Sequence, residues 1–152
     1  MKTLIIYDSL YGNTKKVAIQ ISKEIPNSKI LSVDESKLTD LKGIDLLIVG
    51  SPTHGGTAKP ILLQFLNSIP SKSLEGIKVA TFDTRFSKDD VNIFLKILMN
   101  IIGYAAPKIE KILISKGGIS IHTPLGIIVE GKEGPLKKGE ILLAKKWAKE
   151  IL

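Results

Sequence analysis

The sequence predicts an open, doubly wound α/β domain in which a parallel sheet of five strands lies between two layers of helices. Three observations carry that expectation. Short aliphatic runs such as Leu46-Leu47-Ile48-Val49 are continuous in apolar character, as strands covered on both faces are. Between them lie stretches with apolar residues three and four apart, the period of a helix with one dry face. Strand and helix alternate along the chain, which implies crossovers and parallel pairing. The 152 residues hold no internal repeat, low-complexity tract or linker, so a single domain over 1–152 is expected.

Taken in order, Leu4-Ile5-Ile6-Tyr7 reads as a buried strand that runs into a loop at Asp8-Ser9. A helix follows from Thr14, with Val17, Ile21 and Ile25 four apart and Lys15, Lys16, Lys23 and Glu24 toward water, until Pro26-Asn27 stops it. Ile30 to Val33 is a second strand and Leu46 to Val49 a third, after which Gly50 to Gly56 is expected to be loop. Ile61, Leu62, Phe65, Leu66 and Ile69 mark a helix that tolerates Pro60 in its first turn. Ile77 to Phe82 is a fourth strand, ending at Asp83-Thr84-Arg85. Ser87 is expected to cap a helix with Asp89 and Asp90 in its first turn and a dense apolar stretch from Val91 to Ile102, broken by Gly103. Pro107 starts a further helix carrying Ile109, Ile112 and Leu113, which Gly117-Gly118 ends. Ile119 to Ile121 and Ile127 to Val129 read as two pieces of one edge strand parted at Pro124. Glu140 opens a closing helix that buries Ile141, Ala144, Trp147, Ala148 and Ile151.

Composition excludes several chemistries. Without cysteine there are no disulfides, thiolate metal sites, iron–sulfur clusters or cysteine nucleophiles, and His54 and His122 alone are poor material for structural zinc. Lys and Arg number 22 against 15 Asp and Glu, a net charge of +7. The positive residues are scattered lysines, with Arg85 the single arginine, so base reading on a nucleic acid is not expected. No basic and apolar leader opens the chain, and no apolar run approaches the roughly 18–20 residues that span a bilayer, so a cytoplasmic protein with no membrane span is expected.

Chemistry concentrates in three loops. Ser9-Leu10-Tyr11-Gly12-Asn13-Thr14 joins a strand end to a helix start, where unpaired N–H groups and the positive end of the helix dipole favour an anion. Its hydroxyls and amide suit a phosphate, although an ordinary turn capped by Ser and Thr has the same composition. It lacks the Lys-Ser or Lys-Thr ending of a Walker loop, and the chain has no GxGxxG fingerprint. Gly50-Ser51-Pro52-Thr53-His54-Gly55-Gly56 follows the third strand, and its small residues let a flat ring approach the backbone, or else make a plain connector. Phe82-Asp83-Thr84-Arg85-Phe86 ends the fourth strand. There Arg85 either offers its donors to a ring carbonyl or anion, or pairs with Asp83.

Together these stretches resemble the flavodoxin family, particularly its short flavodoxin-like domain proteins, over nearly the whole chain. Tyr7 to Thr14 is similar to the family's FMN phosphate loop, and Gly50 to Gly55 to its first flavin-ring loop. Thr81 to Arg85 is similar to the second ring loop of the short variants, and Glu133-Gly134-Pro135-Leu136 to their approach to the last helix. The resemblance implies a flavodoxin-like three-layer α/β/α sandwich with strand order 2-1-3-4-5. It implies that Ser9, Leu10, Tyr11, Gly12, Asn13 and Thr14 hold the phosphate of FMN, while Pro52, Thr53, His54, Gly55 and Gly56, with Asp83, Thr84 and Arg85, border the isoalloxazine. Where ordinary flavodoxins carry Gly-Asp and a stacking Trp or Tyr, this chain offers His54 and Phe86.

The function so implied is an FMN-binding electron carrier, in which no catalytic acid, base or nucleophile is assigned. A small NAD(P)H- or quinone-linked FMN oxidoreductase and an apo domain used only for protein contacts are the alternatives. A phosphoacceptor receiver is disfavoured, because its aspartate would end the third strand where Gly50-Ser51-Pro52 stands. The net charge predicts a redox partner with an acidic face. Residues 91–102 are too apolar all round for a plain surface helix, so they form either a core helix or a contact to a second copy or partner.

Overall fold

The aliphatic runs become the strands of one parallel sheet. The computed structural model describes the backbone of residues 1–152 and every side chain but that of Asp90, so the expected place of Asp90 in a helical first turn lies outside the described residues. The elements in chain order are β1 (Thr3–Tyr7), α1 (Asn13–Glu24), β2 (Ser28–Ser32), β3 (Leu46–Pro52), α2 (Pro60–Ser68), β4 (Lys78–Phe86), α3 (Ile93–Ile102), α4 (Ala105–Ser115), β5 (Ile119–Ser120), β6 (Leu125–Val129) and α5 (Glu140–Glu150). Two short 3₁₀ turns, Val33–Glu35 and Leu38–Leu41, replace a helix between β2 and β3.

The sheet order is β2-β1-β3-β4-β5, with β6 also on β4. β5 pairs with Lys78 and Val79, and β6 with Phe82 to Phe86, so the two make one interrupted fifth strand as the sequence suggested. β1 lies between β2 and β3, with Ile5 opposite Ile30 on one side and Ile48 on the other. Side chains alternate between faces, which produces two cores. Leu4, Ile6, Leu47, Val49 and Val79 meet Leu62 and Leu66 of α2 and Ile109 and Leu113 of α4. Ile5, Tyr7, Leu46, Ile48, Ala80 and Phe82 meet Val17 and Ile21 of α1 and Ala144, Trp147 and Ala148 of α5. The result is the expected α/β/α sandwich. No helix among the described residues is long and apolar enough to cross a membrane.

Several local expectations are corrected. β3 continues through Gly50 and Ser51 to Pro52, so the loop there begins at Thr53, and β4 continues to Phe86 rather than ending at Asp83. The reason is long-range pairing: Ser51 and Pro52 lie opposite Asp83 and Thr84, and β6 supports β4 on its other edge. Ser87 caps only a 3₁₀ turn over Lys88–Asp90, accepting from the Asp89 N–H at 3.2 Å. Asn92 is the cap of α3, its Oδ1 accepting from the Leu95 N–H at 2.9 Å, so the helix starts at Ile93 and not at Val91. α4 begins at Ala105, which places Pro107 inside its first turn. Finally, α3 has no buried residue, so it is not a core helix.

Candidate functional site

β1 leaves the sheet at Asp8, whose N–H donates to the Gly50 carbonyl at 3.0 Å. The chain then turns through Ser9 to Gly12 into α1. Gly12 sits before the first helical residue at φ +88°, a left-handed conformation that a side chain would strain. The Gly12 carbonyl accepts from the Lys16 N–H at 3.0 Å, and Ser9 Oγ accepts from the Lys15 N–H at 3.3 Å. The N–H groups of Leu10 to Thr14 make no hydrogen bond among the described residues. They leave a row of donors at the positive end of a helix, the arrangement an anion needs. Thr14 is buried, with its Oγ1 at 2.9 Å from Thr84 Oγ1. Asn13 Nδ2 donates to the Glu133 carbonyl at 3.0 Å and so ties α1 to the segment before α5.

After β3, the Thr53 N–H donates to the Thr84 carbonyl at 2.9 Å. His54 and Thr57 exchange two backbone bonds of 2.9 and 3.1 Å, a narrow turn that leaves His54 and Gly55 exposed at its tip. Thr53 Oγ1 accepts from the Ala105 N–H at 3.0 Å, and Asp83 Oδ2 accepts from the Ala106 N–H at 2.8 Å. These two residues therefore cap α4 from a distance, because its own cap position, Tyr104, makes no side-chain cap.

Asp83 is completely buried and holds Arg85 through two bonds, Nε to Oδ1 at 2.5 Å and Nη2 to Oδ2 at 2.7 Å. The guanidinium then lies 3.7 Å from the centroid of the Tyr104 ring. Burial pushes the Tyr104 hydroxyl up from its ordinary value, opposed by the Arg85 charge and reinforced by Asp83. An ion pair with its anion inside and its cation outward thus ends β4.

The three loops border one cavity of about 480 Å³ at the carboxyl ends of β1, β3 and β4. Ser9, Leu10, Tyr11, Asn13 and Thr14 line it from the first loop, Pro52, Thr53, His54, Gly55 and Gly56 from the second, and Thr84 and Arg85 from the third. Gly12 and Asp83 do not reach it: Gly12 shapes the turn, and Asp83 is spent on Arg85 and α4. The remaining wall includes Phe86, which the sequence offered in place of a stacking aromatic, and residues it did not assign to the site, chiefly Leu95, Leu98 and Ile102 of α3 with Tyr104. The density of apolar residues in 91–102 marks a segment that needs cover, and Leu95, Leu98 and Ile102 turn toward the cavity, where they stay more than a third exposed. Tyr104 carries no local sign at all.

A size of this order suits a drug-sized or mononucleotide ligand, and the free N–H row gives the cavity one anionic end. Among the described residues no group of three or more His, Asp or Glu is placed to hold a metal ion. This is the class of doubly wound domain whose ligand site lies where strand order reverses, between β1 and β3. Residues 4–119 match the family model of the flavodoxin domain, and the chain belongs to that family. A flavodoxin of Aquifex aeolicus (strain VF5) is 34% identical over 73 residues, a stretch equal to 45% of this chain and only 40% of that protein. Among solved structures, a flavodoxin from the domain Archaea superposes with a TM-score of 0.78 at 22% identity, over 99% of this chain and 96% of that one. Oxidised Flavodoxin 1 from Bacillus cereus gives 0.77 at 20% identity, over 99% and 97%. Rubredoxin oxygen:oxidoreductase from Desulfovibrio gigas contains the same fold in 35% of its length, with a TM-score of 0.73 at 20% identity.

Proposed function

We propose that the chain binds FMN and works as an electron-transfer flavoprotein of the flavodoxin type. The observation that carries this reading is the junction of a free N–H row, at Leu10 to Thr14, with an apolar cleft between the loops after β3 and β4. The donor set fits a terminal phosphate: neutral hydroxyls and amides at a helix start, with Lys132 also on the cavity wall. Ser9 and Thr14 would hold the phosphate oxygens. Pro52 to Gly56, Thr84 and Arg85 would border the ring, with Phe86 and Tyr104 beside them. FMN, when bound, supplies the redox chemistry. The chain's own part is to bind, orient and desolvate it, and to hold the Arg85 cation on the cavity wall.

The net charge of +7 supports a redox partner with an acidic face. The absence of cysteine and of a long apolar helix is consistent with a cytoplasmic location. The apolar wall supplied by α3 is what favours the second reading, an NAD(P)H- or quinone-linked oxidoreductase with a substrate beside the ring. The test is direct. Purified protein incubated with FMN and desalted should keep a yellow chromophore with quenched flavin fluorescence, and no binding at about tens of micromolar would overturn the reading. Rapid hydride uptake from added NADPH by the loaded protein would favour the oxidoreductase over the carrier.

A further inference from the structure

The cavity and the exposed faces of the fold leave one large feature unaccounted for, the outer side of α3. Around its axis the helix has three arcs. Asn92, Lys96 and Asn100 form a polar stripe. Leu95, Leu98 and Ile102 face the cavity. Ile93, Phe94, Ile97 and Ile101 lie between these, outside the cavity, with exposures of 78%, 75%, 54% and 77%. We propose that this outer arc is the contact of a homodimer, in which α3 packs antiparallel against α3 of a second copy about a two-fold axis near Ile97.

Size is the first argument. At about 200 Å² for a large apolar side chain, the four residues present roughly 550 Å² of apolar surface, the upper end of what a monomer leaves open. Homodimer interfaces are about 65% apolar, so a strip of this size belongs to an interface of roughly 850 Å² per copy. That is the standard size of a specific protein–protein interface. Spacing is the second: positions 93, 97 and 101 make a ridge of residues four apart, the element that interlocks in helix pairs. An antiparallel pair also opposes the two helix dipoles.

Charge decides between a second copy and other occupants. A lipid surface or an acidic protein would call for free cations beside the strip. Instead Lys96 lies 3.7 Å from the Asp89 carboxylate. Lys88 donates to Asn100 Oδ1 and sits 5.0 Å from the Tyr104 ring centroid. Both cations are tied within the chain, Lys96 to a carboxylate and Lys88 to an amide oxygen and a ring, so the strip is not flanked by a free row of cations. One consequence rests on the FMN reading. The inner arc of α3 is a cavity wall, and Ile102 Cγ2 occupies the place where Gly56 has no Cβ, so a second copy pressing on the outer arc steadies the wall and links dimerisation to FMN affinity.

Sedimentation velocity on the apo chain and on the chain incubated with FMN, from about 1 to about 200 µM, tests the proposal, with far-UV circular dichroism to confirm folding. Wild type should move from 16.6 kDa toward a species of twice that mass. Ile97→Lys and Ile97→Glu lie outside the cavity wall; each alone should stay folded and monomeric, and should associate at least about tenfold more tightly when mixed, because the axis brings position 97 against itself. A wild type monomeric throughout, single variants that still dimerise, a mixture that does not associate, or a monomer that binds vesicles of anionic phospholipid would each overturn it. Flavin retention is read separately on the same samples. Dimer without FMN sinks the function and keeps the interface, while FMN without dimer does the reverse.

Discussion

Replacing Asp83 tests whether the end of β4 is organised by its buried ion pair. The carboxylate has no exposure, receives Arg85 at 2.5 and 2.7 Å, and accepts the Ala106 N–H at 2.8 Å. Removing one partner of a buried pair costs about 3–5 kcal/mol. The Arg85 side chain keeps 16% of its exposure, so water reaches the stranded guanidinium and the lower end applies. The orphaned Ala106 N–H adds about 1–2 kcal/mol, and Asp83→Ala should lose roughly 4–5 in all. Arg85→Ala strands a carboxylate with one amide donor and should lose about 3 kcal/mol. The double variant leaves no charge behind and should lose about 3–4, so the pair couples by at least about 3 kcal/mol. Equilibrium urea unfolding reads all three; with a slope of about 2 kcal/mol/M, Asp83→Ala should lower the midpoint by about 2 M. Single losses below about 1 kcal/mol, or additivity within about 0.5, would refute the reasoning.

Gly56→Ala places a Cβ at 1.9 Å from Ile102 Cγ2 in a residue at φ +76°, so it should displace the end of α3 and lose about 1–3 kcal/mol; a variant as stable as wild type by thermal melting would contradict the packing. Thr14→Ala removes a hydroxyl that sits 2.9 Å from Thr84 Oγ1, and should weaken FMN about tenfold or more while changing riboflavin less. Equal losses in fluorescence titrations of the two ligands would remove Thr14 from the phosphate. Tyr104 keeps its proton above the ordinary tyrosine value of 10.0 because it is partly withdrawn from water. From about pH 10 upward the unfolded chain therefore binds fewer protons there than the folded one, and stability should fall as pH rises. Tyrosinate absorbance in the near ultraviolet should show a late step above the ordinary tyrosine value, and Tyr104→Phe should abolish that step.

The legible part of the fold is the part whose chemistry is local. Leu4 to Tyr7 and Leu46 to Val49 are covered on both faces, so apolar continuity alone marks them. The ends of β3 and β4 were read as loop because Ser51, Asp83 and Thr84 are polar, yet all three are buried. Arg85 is a local partner that the sequence offers for Asp83, but the others lie further along the chain: Lys59 N–H for Ser51, Ala106 N–H for Asp83 and Thr14 for Thr84. Polarity shows in a sequence, whereas the donor that satisfies it 20 or 70 residues away does not.

The same extension of β4 explains which site residues the sequence misjudged. Asp83, Thr84 and Arg85 look like consecutive lining residues of a loop, but in a strand successive side chains face opposite layers. Thr81 Oγ1 donates to the Ala106 carbonyl on the α4 side, and Asp83 and Arg85 share that side; Thr84 faces α1 and meets Thr14. Three neighbours therefore do three tasks. Asp83 is sealed beneath as the anchor of Arg85 and α4, Arg85 carries the charge to the cavity wall, and Thr84 closes the floor against the anion loop. Tyr104 has no such pattern to mark it: it follows the Gly103 break with no periodicity of its own, and it enters the site because α4 is capped by Thr53 and Asp83, which sets Tyr104 on the Arg85 guanidinium. The site is thus specified by how β4 ends and α4 begins, a junction between segments about 20 residues apart in the chain.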